Sequence, residues 1–140
     1  MGGSSLSNVE FVYINPDEII STLPLIQSDL IRGVEQTDCY ALIDIIEELQ
    51  NETMFCILVM VDGEYKATVV FNTNIYPRKK YLNVVIVAGE ELELWNTEMN
   101  DCLDDLARTL GLDGVSAYCR MGWKKKLRAD DMKIYMTRNV

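Results

Sequence analysis

The period of the apolar positions changes several times along the chain, and each change marks an element. Residues 9–14 alternate weakly and end at Asn15-Pro16, which predicts a first strand and then a helix with Pro16 as its first residue, where a missing N–H costs nothing. Asp17 and Glu18 suit the positive helix start. Pro24 is expected to break or restart this helix, a second piece reaching about Arg32 before Gly33. Within residues 38–50, Leu42, Ile45, Ile46 and Leu49 recur at helical spacing with Glu47, Glu48 and Gln50 outward, which predicts an amphipathic helix.

Residues 54–61 are apolar throughout and rich in β formers, as in a strand covered on both faces. Asp62-Gly63 marks a two-residue hairpin turn, and residues 64–71 return as the partner. Residues 72–80 read as a polar loop with Pro77 and a basic tip of Arg78, Lys79 and Lys80; residues 81–88 are another buried strand closed by Gly89, completing a three-stranded antiparallel meander. Glu90, Glu91 and Glu93 then lead into a helix. Its apolar stripe is Trp95, Met99, Cys102, Leu103, Leu106 and Leu110, and Gly111 stands where a left-handed C-cap belongs. A short strand at 115–119, a short basic helix or turn at 121–129 and an alternating edge strand at 132–138 complete the order. The chain therefore reads as α/β (α+β), with residues 1–8 a flexible leader and 9–140 one domain.

Charge and composition exclude much. The formal charge is −9, from 22 acids against 13 bases, but residues 120–138 hold seven bases against two acids. So acidic a body disfavours general nucleic-acid binding and anionic lipid, although a small basic face can still meet phosphate locally. Histidine is absent, which removes Ser-His-Asp and Cys-His nucleophile systems and imidazole metal sites. Cys39, Cys56, Cys102 and Cys119 form no CxxC pair, so no metal site is expected; set in apolar runs, they read as reduced core thiols of a cytoplasmic protein. No apolar run approaches the ~20 residues that span a bilayer.

The element order across residues 9–140 resembles the GNAT superfamily of acyl-CoA N-acyltransferases. The C-terminal half is similar to small GNAT-like proteins of tailed bacteriophages. The matching features are the strand ending at Gly89, Trp95, the helix with Leu103, Leu106 and Ala107, Leu110-Gly111, and Arg120-Met121-Gly122-Trp123 followed by Lys126-Leu127. Upstream, a helix ending in Glu48-Leu49 before a strand at Met54 fits as well. The resemblance implies a mixed, mostly antiparallel sheet flanked by helices.

It also implies a cofactor position at Val87, Ala88 and Gly89, where GNAT enzymes hold the acetyl-CoA pyrophosphate on a Gly-rich loop and helix N-terminus. Here the loop has one glycine and three carboxylates, which repel phosphate. No cofactor is expected on that ground, and acetyl-CoA only if the chain is an enzyme. Glu90 or Glu91 then serves as base and Tyr118 as acid; the same residues also read as helix-leading acids and a strand tyrosine. Arg120, Gly122 and Trp123 read either as a contact or as a turn pinned by a buried tryptophan. Lys124, Lys125, Lys126 and Arg128 read as a partner-binding or a solvated face. The expected role is that of a binding or virion-associated protein with a phage or host protein partner, in the host cytoplasm or the virion. The alternatives are an acetyl-CoA-dependent N-acetyltransferase acting on a protein or small amine, and an inhibitor of a host protein.

Overall fold

A computed structural model of the chain describes residues 8–37, 39–118, 123–131 and 136–139. Its elements are β1 (Val9–Ile14), α1 (Ile19–Val34), α2 (Leu42–Gln50), β2 (Phe55–Val61), β3 (Glu64–Ile75), β4 (Lys80–Gly89), α3 (Asn96–Thr109), β5 (Gly114–Ala117) and α4 (Trp123–Lys126), with single 3-10 turns at Pro16–Glu18 and Leu92–Leu94. The strands form one sheet in the order β1-β2-β3-β4-β5. The first four are antiparallel neighbours, and β5, reached through α3, runs parallel to β4. Asp62 and Gly63 both take positive φ, at 52° and 81°, in the predicted tight turn between β2 and β3. Asn8 is tied to that turn, its N–H donating to the Asp62 carboxylate at 2.9 Å.

The two faces of the sheet carry separate cores. Trp95, Met99, Leu103 and Ala107 from the α3 side cover Val59, Val69, Phe71 and Val84. On the other face Ile26, Leu30, Ile45 and Leu49 from α1 and α2 cover Cys56, Leu58, Val70 and Ile86.

Several expectations are corrected. Pro24 lies inside an unbroken α1. The carbonyl that loses its donor belongs to Ile20, an exposed residue, while Ile19, Ile26 and Leu30 are almost fully buried, so packing outweighs the proline penalty. Gly33 is not a stop, since α1 continues to Val34; a Cβ there would lie 2.5 Å from Ile86 Cγ2, so the glycine lets helix and sheet approach. The loop expected at 72–80 is mostly ladder. Pairing continues to Ile75↔Lys80, helped by an Asn83 side-chain amide that donates to Asn72 at 3.0 Å, and this needs no apolar side chains. The thiols are not uniformly core: Cys56 is buried, Cys102 half-buried and Cys39 exposed in the α1–α2 connection. Cys119 lies outside the described residues. So does most of the strand expected at 132–138, and Met136, Thr137 and Arg138 belong to no strand.

Candidate functional site

The sheet opens between β4 and β5. Their ladder joins Tyr81↔Gly114 through Val84↔Ala117 and goes no further among the described residues. At that point β4 carries a bulge: on the other side, Phe71 pairs with Val84 and Val70 with Ile86, leaving Val85 as the extra residue. The bulge reverses the facing of the residues beyond it. Leu82 and Val84 join the core under α3, whereas Ile86, although even-numbered like them, joins the core under α1. Bulge and splay together leave a cleft of about 580 Å³, within the roughly 300–1,000 Å³ of small-ligand sites. One wall is β4 residues 84–89 with Leu92 and Trp95, another is Ala117, Tyr118, Trp123 and Leu127, and the end of α1 adds Arg32, Gly33 and Gln36.

The segment after β4 closes on itself. A Cβ on Gly89 would sit 2.3 Å from both Ala67 Cβ and the Lys66 carbonyl, so contact with β3 demands this glycine. Glu90 N–H donates to the Lys66 carbonyl at 2.9 Å, and the indole N–H of the buried Trp95 donates to the Glu90 carbonyl at 2.8 Å. Glu91 is left-handed at φ 56°, and its carboxylate takes Lys66 Nζ at 3.0 Å; the same ammonium reaches Glu64 at 3.5 Å. The amides of Leu94 and Trp95 are used within the turn. The cleft thus adjoins a loop that carries three carboxylates, of which Glu91 is neutralised by Lys66, and whose Glu90, Leu94 and Trp95 amides are already used within the fold.

The structure places the sequence-derived candidates unevenly. Val87, Ala88, Gly89, Tyr118 and Trp123 all line the cleft, Tyr118 with most of its ring in solvent. Glu90 and Glu91 are exposed and outside its lining. Trp123 opens α4, with Lys126 Nζ 5.2 Å from its ring centroid, and Asn100 on α3 donates to the Lys126 carbonyl at 2.7 Å. Arg128 pairs with Asp101 at 3.1 Å and Asp104 at 3.6 Å, which turns it onto its own chain. Lys125 and Lys126 are exposed; Lys124 lies in α4, and Arg120 is outside the described residues.

A polar cluster beside the cleft was not anticipated. Asp29, on the sheet side of α1 and almost fully buried, accepts from Arg32 through Oδ1 and from the Tyr65 hydroxyl through Oδ2; that hydroxyl also meets the buried Thr68. A carboxylate can sit there only because donors meet it. The hydrogen bond to Asp29 holds the Arg32 guanidinium above its usual range. Burial, then the bond to Asp29, pushes the Tyr65 phenol well up. An acid and an arginine three apart in an apolar stretch were legible in sequence, but their tyrosine lies 36 residues from Asp29. Among the described residues no three His, Cys, Asp or Glu converge as metal ligands, and no helix is long and apolar enough to cross a membrane.

Together, the mixed five-stranded sheet, its helices and the β4–β5 opening give the chain the fold of the GNAT acetyltransferases. No protein-family model matches it, and no curated protein matches it by sequence. A ribosomal-protein-alanine N-acetyltransferase from Brucella melitensis biovar Abortus is 14% identical with a TM-score of 0.64, over 95% of this chain and all of that one. A protein described as a predicted acetyltransferase from Clostridium acetobutylicum, solved with acetyl-CoA, is 13% identical with a TM-score of 0.66, covering 94% and 96%. A GNAT family acetyltransferase from Staphylococcus aureus is 7% identical with a TM-score of 0.66, covering 94% and 98%. At such identities the likeness is one of fold.

Proposed function

We propose that this is a GNAT-fold binding protein of phage type that keeps the β4–β5 cleft but has lost the phosphate cradle, and that it binds a protein partner, phage or host, instead of turning over acetyl-CoA. The observation that carries the reading is the segment after β4. Gly89 is committed to packing on Ala67, the Glu90 amide is committed to Lys66, and Glu90, Glu91 and Glu93 add three carboxylates to the loop, which disfavours a pyrophosphate there. The phage origin rests on the resemblance around Arg120-Met121-Gly122-Trp123. Trp123, Lys125 and Lys126 are the contacts offered to the partner, with Arg120 and Lys124 in the same segment and Arg128 bracing it.

A second reading, an acetyl-CoA-dependent N-acetyltransferase, is favoured by one observation: Val87, Ala88 and Gly89 line the cleft with Tyr118 at its mouth. In that case Glu90 is the available base, because Glu91 is held by Lys66. The acetyl-CoA in the Clostridium acetobutylicum protein supports it by analogy of fold. Thermal unfolding with millimolar acetyl-CoA decides between them. A ligand at a hundred times its Kd adds about 2.7 kcal/mol and raises the midpoint by several degrees. The expected outcome is no shift; a saturable rise, with transfer of label to an amine, establishes the second reading.

A further inference from the structure

At the end of β4 away from the cleft, the β3–β4 turn carries three consecutive cations, Arg78, Lys79 and Lys80, all exposed. Among the described residues none of the three forms an ion pair, whereas Arg32, Lys66, Arg108 and Arg128 each meet a carboxylate. With 22 acids in the chain, cations left unmatched in a row stand out. Beside them Tyr76, 55% exposed, and the half-buried Tyr81 meet edge to face with ring centroids 6.3 Å apart. With Pro77, Arg78 and Lys79 they line an open depression of about 450 Å³. The turn is held firmly: Tyr76 N–H donates to the Lys79 carbonyl at 2.8 Å, and Lys80 exchanges two 2.8 Å bonds with Asp113 through its backbone N–H and carbonyl.

We propose that this tip binds a short single strand of nucleic acid, with bases stacked on Tyr76 and Tyr81 and phosphates on Arg78, Lys79 and Lys80. Aromatic faces beside a basic track are what sequence-tolerant single-strand sites use. An acidic peptide would satisfy the cations but leave the open aromatic surface of Tyr76 and Tyr81 beside them unused. The net charge of −9 favours short strands over long polyanions, so the tip is compatible with the expectation that the chain does not bind nucleic acid generally. The site is separate from the cleft and does not depend on what the cleft holds.

The test is fluorescence anisotropy of labelled pentathymidylate with the full chain at low salt. Saturable binding is expected, weakening about twentyfold between about 50 and about 200 mM salt if three phosphates are engaged. Tyr76→Ala should weaken it at least about fivefold, and the Arg78→Glu/Lys79→Glu pair should abolish it, both at exposed positions where circular dichroism and Tm confirm the fold. Gln27→Glu, at an exposed position on α1, should leave it unchanged. No saturable binding at low salt, or equal binding by Tyr76→Ala, overturns the proposal. Displacement by hexaglutamate as effective as by unlabelled pentathymidylate would overturn it in favour of an acidic-peptide site.

Discussion

The two faces of the sheet are held by different physics. Under α3 the contacts are apolar: Trp95, Met99, Leu103 and Ala107 pack on valines and Phe71, and the buried Asn100 spends its amide on the carbonyls of Asn96 and Lys126, away from the sheet. Under α1 the apolar packing is interrupted by Asp29, Tyr65 and Thr68, and Gly33 brings the helix against Ile86. One wall of the cleft is therefore fixed by volume, and the other by directional bonds and a close approach. A packed face tolerates swaps that conserve volume, whereas the polar face tolerates only groups that keep its bonds satisfied.

The largest effect is expected where strand meets strand at the cleft's end. Gly89→Ala puts a Cβ 2.3 Å from backbone oxygen and from Ala67 Cβ, neither of which is a flexible tip, so a loss of about 3 kcal/mol or more is expected in urea unfolding. Next comes the packed face, where Leu103→Ala should cost about 2–4 kcal/mol through transfer and cavity terms. Asp29→Ala should cost less, about 1–3 kcal/mol, because Arg32 is half in solvent and only the Tyr65 hydroxyl is left in the interior short of a partner. A double-mutant cycle with Tyr65→Phe separates the faces: Asp29 and Tyr65 should couple, and Leu103 and Tyr65 should add. Additivity at Asp29–Tyr65 would break the comparison.

Alkaline pH probes the same face. Burial pushes the Cys56 thiol up to about 12, so the fold prefers it protonated. Its contribution is intact below the ordinary thiol range near 9 and is lost as pH climbs toward 12, about 1 kcal/mol by pH 10. Tyr65, raised in the same direction, adds to the loss at still higher pH. Urea midpoints at pH 8 and pH 10 measure this, and Cys56→Ala should flatten the difference. In native protein at pH 8, Cys39 should alkylate readily and Cys56 hardly at all.

Legibility in the sequence tracks the range of the forces involved. The β2–β3 hairpin was plain because Asp62-Gly63 carries its own backbone preference, and α3 because its stripe repeats over four turns. Pro24 misled because a local penalty was set against burial of Ile26 and Leu30, which only the folded chain reveals. The loop at 72–80 misled because polar side chains do not prevent a ladder from continuing. For the site, the apolar run predicts a strand over residues 81–88 closed by Gly89; the strand is Lys80–Gly89, and its residues 84–89 line the cleft. The bulge at Val85 that opens the sheet has no signature of its own, since its neighbours are also valine and isoleucine. Arg32 and Gln36 were passed over because nothing local says which end of α1 meets β4.

The smallest effect sharpens the contrast within the basic segment itself. Arg128 spans Asp101 and Asp104 on α3, a bridge between elements whose partners are about half exposed, so Arg128→Glu should cost no more than about 1 kcal/mol and should cost less in high salt. Lys125 is exposed and makes no ion pair among the described residues, so Lys125→Glu should change stability by less than about 0.5 kcal/mol at any salt. If a partner docks on the segment, however, the second substitution should weaken capture more than the first, because Arg128 is already occupied by its own chain while Lys125 is open to a newcomer. Thermal unfolding at two salt concentrations, read beside capture of the partner, measures both. Equal effects in both assays would show that Arg128 and Lys125 belong to one solvated face and that the segment does not divide into a brace and a contact.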